Sequence, residues 1–146
     1  MNKVFDFLKQ NIGRTFGEYA PPFSKFLNGI IEEVEVDSLV MRFKAEEAML
    51  NPAGLMHGGV HAAIIDEMTG LLVAASDVPH LYVSANLYVD FFGKVRIGEE
   101  IRAKARIIKK GRTIINTECH IFNMEGKMVS RGVCNLVNTG QERVIG

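Results

Sequence analysis

Hydrophobic positions divide the chain into a short helical start, two strands, one long apolar helix and four further strands. Val4, Phe5, Leu8 and Ile12 recur at helical spacing and predict an amphipathic helix. Pro21 and Pro22 interrupt it. A second helical segment over Phe23–Leu27 should end at Asn28–Gly29. From Ile30 to Lys44 the pattern is extended. Leu39, Met41 and Phe43 alternate with Val40, Arg42 and Lys44, and Asp37–Ser38 reads as a hairpin turn. A loop from Glu46 to Met56 follows, broken by Asn51–Pro52 and Gly54.

After Gly59 the period changes. Val60, Ile64, Met68, Leu71 and Ala75 form one helical face, while Ala62, Ile65, Val73 and Ala74 cover much of the rest. A helix that is apolar nearly all round is a buried one, and it should stop near Ser76–Asp77. Leu81 to Phe91 then alternates with period two, as do Ile101–Ile107, Ile115–Ile121 and Met128–Val137. Lys110–Gly111 and Glu125–Gly126 fit hairpin turns. Without βαβα alternation, the class is α+β with a mostly antiparallel sheet wrapped around a long central helix. One domain over residues 1–146 is expected, with residues 1–28 as its short helical N-terminal segment.

Composition narrows the function. Net charge is zero, which argues against a nucleic-acid partner. Cys119 and Cys134 lack a CxxC spacing and read as reduced core thiols, which fits a cytoplasmic protein. The N-terminus is too mixed for a signal peptide. The apolar stretch at Ile64–Ala75 reads as too short and too polar to span a membrane.

The stretch NPAGLMHGGVHAAIID, Asn51–Asp66, carries the candidate chemistry. Asp66 and the adjacent Glu67 are about 100° apart on a helix, so they cannot share one face. Asp66 points with Ala62, Gly70 and Val73, a side made of smaller residues that leaves room for a ligand. A carboxylate there is costly unless paired, hydrogen-bonded or protonated, which marks it for function. His57–Gly58–Gly59 stands where the helix begins. The first N–H groups of a helix lack internal partners. Glycines let a substrate approach them, and they suit a carbonyl oxygen gaining negative charge. His57 and His61 have the i, i+4 spacing of a metal pair. No third ligand follows in an HExxH-like pattern, so no metal is expected.

Asn51, the HGG run, Asp66 and the segment YVSANLYVDFFGKVRIGEEI resemble the hotdog-fold acyl-CoA thioesterases, most nearly the phenylacetate-pathway (PaaI-type) branch. The resemblance covers roughly Gly29–Val137. It implies homodimers that join two sheets edge to edge, commonly paired into homotetramers, with active sites between subunits. It implies Asp66 as general base or nucleophile, the Gly58 N–H as the group that polarises the thioester carbonyl, and Asn51 as an aid in positioning water or substrate. It further implies His57 as an orienting residue and Ser84 as a polar strand position reaching the site from the neighbouring subunit. Gly59 would sit against the substrate, and the turn Lys109–Lys110–Gly111–Arg112 would meet the CoA phosphates. CoA is then part of the substrate, and no cofactor is required. Phe92–Gly93–Lys94 stands where relatives often carry Arg or Leu followed by Pro. Tyr82, Tyr88, Phe91 and Phe92 are candidates for an aromatic-acyl pocket. A non-catalytic acyl-CoA-binding hotdog module and a hotdog enoyl-CoA hydratase or dehydratase are the alternative readings.

Overall fold

The computed structural model describes residues 2–143. The elements run α1 (Lys3–Gln10), α2 (Pro22–Leu27), β1 (Ile30–Val34), β2 (Ser38–Lys44), α3 (Gly58–Ala75), β3 (His80–Phe91), β4 (Glu100–Lys110), β5 (Ile114–Asn123) and β6 (Met128–Glu142). The six strands form one antiparallel sheet in the order β1-β2-β4-β5-β6-β3. Its concave side holds α3. The residue pattern predicts this sheet around one helix, and it is the hotdog arrangement that the family resemblance implies.

α3 fills the sheet because its apolar residues face nearly every direction. Val60, Ile64, Ile65, Met68, Leu72 and Val73 are all buried. All but Val73 share a core with Met41, Phe43, Ile101, Ala103 and Ile121 of the sheet, and with Phe5 and Leu8 of α1, while Val73 packs with Ile115, Cys134 and Leu136. By length and composition alone the whole of α3, Gly58–Ala75, would suffice to cross a membrane. The sheet wrapped around it accounts for the same apolarity. The helix packs tightly on the sheet at Gly132 of β6. A Cβ there would stand 2.9 Å from both the Ile65 Cγ2 and the Tyr88 carbonyl oxygen, so no larger residue fits without moving backbone.

Both ends of the described chain tie down the C-terminus of α3. The Asn2 Nδ2 donates to the carbonyls of Ala74 and Ser76 at 3.0 and 2.7 Å, and the Arg143 guanidinium donates to the carbonyls of Ala74 and Val78. These bonds satisfy carbonyls that a helix end leaves without partners. Two boundaries differ from the sequence reading. α1 stops at Gln10, leaving Ile12 outside the helix and 45% exposed. α2 begins on Pro22, because proline at the first helical position gives up an N–H that has no partner there anyway.

The convex side of the sheet is polar. Glu32 accepts from Arg42 at 2.8 Å and from Arg102 at 2.7 Å, and Arg42 also pairs with Glu100. Partial burial alone would raise the Glu32 carboxyl. The two arginines outweigh it and hold the carboxyl below its ordinary range.

β3 is the long edge. It spans 12 residues and pairs only with β6, which leaves its other side open with Leu81, Val83 and Leu87 exposed. The simple alternation read from the sequence fails within it. A register shift between Ser84 and Asn86 inserts Ala85 as an extra residue. Ser84 lies opposite the buried Leu136 and Leu87 opposite the buried Cys134, so both face α3. Asn86 is turned outward with Asn135, which it joins through a 2.8 Å side-chain bond. A bulge re-aims side chains in just this way.

Candidate active site

The loop before α3 is built around Asn51. Its side-chain oxygen accepts from the N–H groups of Ala53 and Leu55 at 3.0 and 3.1 Å, so that atom holds the turn itself. The loop delivers His57 as the N-cap of α3. The His57 Nδ1 accepts from the Gly59 N–H at 2.8 Å, which makes the imidazole a capping group. Gly59 is thereby occupied. The Gly58 N–H donates to no group among the described residues. It is the free donor at the positive end of an 18-residue helix. The ring of Phe91 lies beside it, 3.2 Å from where a Gly58 Cβ would stand. Of the four candidate aromatics only Phe91 borders the helix start. Tyr82 bonds the Arg112 carbonyl, Tyr88 faces the convex side, and Phe92 stacks under Arg131.

Eight residues along α3, Asp66 is exposed in the single chain. Its Oδ1 accepts from the Ser84 hydroxyl at 2.6 Å. The bulge at Ala85 makes that bond possible. It joins two residues of the same chain, so Ser84 and Asp66 enter any site as a pair. The Sγ of buried Cys134 stands 3.4 Å behind the Ser84 Oγ. With the thiol donating, the serine proton is directed at Asp66. Glu67 is taken elsewhere, since its Oε1 accepts from the Ser24 hydroxyl of α2 at 2.5 Å. Sequence reasoning missed both Cys134 and Ser24 as partners, because neither long-range contact leaves a spacing signal.

His61 packs inside the molecule. Its Nδ1 lies 2.8 Å from the buried Ser130 hydroxyl, and its ring meets Phe91 edge-on at 5.6 Å. Burial holds its pKa below the ordinary value of 6.5. The neutral ring is the folded form, so its contribution to stability is complete above pH 6.5 and declines as the pH falls through the lowered folded-state pKa. A His61→Asn variant should therefore lose part of the fall in melting temperature that the parent shows below pH 6.5, measured by thermal denaturation over a pH series.

The basic turn stands apart from the helix start. Lys110, Gly111 and Arg112 border a cavity of about 330 Å³ with Asp77, Pro79 and Tyr82, at the C-terminal end of α3. Lys109 precedes them as an exposed residue of β4. Within one chain this turn and the free Gly58 N–H lie at opposite ends of the helix.

A free helix-start donor, a carboxylate further along the helix and a strand hydroxyl bonded to it are the parts of a site for acyl transfer. Residues 53–130 match the family described as thioesterase superfamily, and that span contains Gly58, Asp66 and Ser84. The chain belongs to the thioesterase superfamily. It is a thioester hydrolase. It is 26% identical to mouse acyl-coenzyme A thioesterase 13 over 114 residues, 77% of this chain and 81% of that protein. A phenylacetic acid degradation-related protein from Ralstonia eutropha JMP134 superposes with a TM-score of 0.78 at 27% identity, covering 93% of this chain and 99% of that one. A hypothetical thioesterase protein from Streptococcus pneumoniae TIGR4, solved with coenzyme A, shares the fold with a TM-score of 0.74 at 24% identity, covering 80% and 89%.

Proposed function

We propose that the chain hydrolyses an acyl-CoA to the free acid and CoA in a site completed by a second copy of itself. The observation that carries this reading is the separation of Gly58 from Asp66. Eight helical residues span about 12 Å, too far for both groups of one chain to act on one carbonyl. The open edge of β3 offers the remedy, because an unpaired strand is a template for another. Two copies joined antiparallel through β3 would set Gly58 of one against Asp66 of the other. Such a dimer would also bring the Lys110–Arg112 turn of one copy toward the helix start of the other, where CoA phosphates would meet it.

In that site the thioester oxygen lies on the Gly58 N–H, which stabilises it as the carbonyl carbon becomes tetrahedral. The Ser84 hydroxyl holds one oxygen of the Asp66 carboxylate. The other oxygen takes a proton from water as that water attacks the carbonyl carbon. Collapse of the intermediate breaks the C–S bond, and the proton passes to the departing CoA sulfur. A mixed anhydride with Asp66 would use the same free oxygen as nucleophile. The mouse relative named as an acyl-coenzyme A thioesterase and the CoA held by the S. pneumoniae structure support CoA as the thiol.

The test is CoA release, followed with a thiol reagent, across aryl-, short- and long-chain acyl-CoAs. Saturable turnover of at least one class is expected. Folded protein that binds these thioesters without cleaving them would overturn the reading. Ser84→Ala should lower kcat by about 10-fold or more, because the carboxylate loses the donor that holds one of its oxygens and orients the other.

A further inference from the structure

A second pocket lies on another side of α3. The N-terminal segment folds over the helix face that carries Glu67 and Leu71, and it encloses about 290 Å³ between them. Phe7, Phe16 and Tyr19 supply aromatic walls, and Pro21 and Leu71 complete the apolar lining. Phe7 and Phe16 stand with ring centroids 6.2 Å apart. The one charged group in this lining is the Glu67 carboxylate, held by the hydroxyl of buried Ser24 at 2.5 Å.

That carboxylate lacks a counter-charge. Among the described residues it joins no ion pair, and neither lysine nor arginine lines the pocket. A neutral hydroxyl satisfies one of about four acceptor positions on a carboxylate. An apolar occupant would strip water from the remaining ones and return nothing. An anion would be repelled. A metal ion would find a single ligand, since no three His, Cys, Asp or Glu side chains are grouped to hold one among the described residues. A cation with an apolar body meets each feature at once. Its charge would lie against the free Glu67 oxygen, and the aromatic rings would hold the rest and attract the charge through their faces.

We infer that this pocket binds a small organic ammonium compound, a primary amine on an arylalkyl or alkyl body. The ligand would bridge the N-terminal segment to α3 without touching the Asp66–Ser84 pair, which lies about 100° around the helix.

The test uses the full chain, titrated calorimetrically with phenethylammonium and with 2-phenylethanol, its neutral counterpart of nearly equal size. Phenethylammonium should bind saturably, ~10-fold or more tightly than the alcohol, and raise the melting temperature. Glu67→Gln keeps an acceptor for Ser24 while removing the charge, and it should abolish the preference. Equal binding of the two probes by the parent chain, or no saturable binding of the ammonium, would overturn the inference even if the variant failed to fold. An undiminished preference in folded Glu67→Gln would overturn it as well. None of these readouts depends on thioester turnover.

Discussion

Asp66→Asn should lower kcat for acyl-CoA hydrolysis by at least ~10²-fold, the usual loss when a carboxylate that moves the proton is removed. The fold should survive. Asp66 is exposed in the single chain, and its one side-chain bond, to Ser84, can be kept by an amide oxygen. Melting temperature should therefore stay near the parent's while CoA release collapses. The adjacent carboxylate supplies the control. Glu67 is bonded to Ser24 on another side of the helix, so Glu67→Gln should turn over close to the parent's rate. An Asp66→Asn protein that is folded and fully active would sink the assignment. An inactive Glu67→Gln beside an active Asp66→Asn would exchange the two roles.

Ile64→Ala should produce a large loss of stability. Ile64 is fully buried and touches no polar group of the site. It lies in the core shared by the helix and the sheet, so truncation removes buried methyl groups and leaves a cavity that the surrounding strands cannot collapse to fill. The expected cost is ~2–5 kcal/mol, which lowers the melting temperature by roughly 10 °C in a domain of this size. Thermal denaturation of parent and variant measures it. A shift of one or two degrees would show that helix and sheet are less tightly joined than the packing indicates.

Much of this protein follows from its sequence alone. The change from period two to an all-round apolar helix and back points to a sheet around one central helix, because the flanking strands supply an apolar face to bury it. The HGG run places glycines and a capping His at a helix start, and that local chemistry needs no long-range contact. The turns at Lys110–Gly111 and Glu125–Gly126 are local in the same way.

Tertiary structure decided the rest. Strict alternation along β3 would turn Ser84 to the same side as Asn86 and Tyr88. A single extra residue at Ala85 reverses that and brings Ser84 to Asp66. Nothing in the residue types announces the bulge, since it arises from pairing with β6. The different partners of Asp66 and Glu67 have the same origin. The helix period puts the two carboxylates on different faces, but only the packing of α2 and β3 gives Glu67 the Ser24 hydroxyl and Asp66 the Ser84 hydroxyl. Pattern along the chain determines which elements form and which faces are apolar, because both depend on near neighbours. Which side chains meet across the core depends on strand register and element packing, and those are properties of the folded chain.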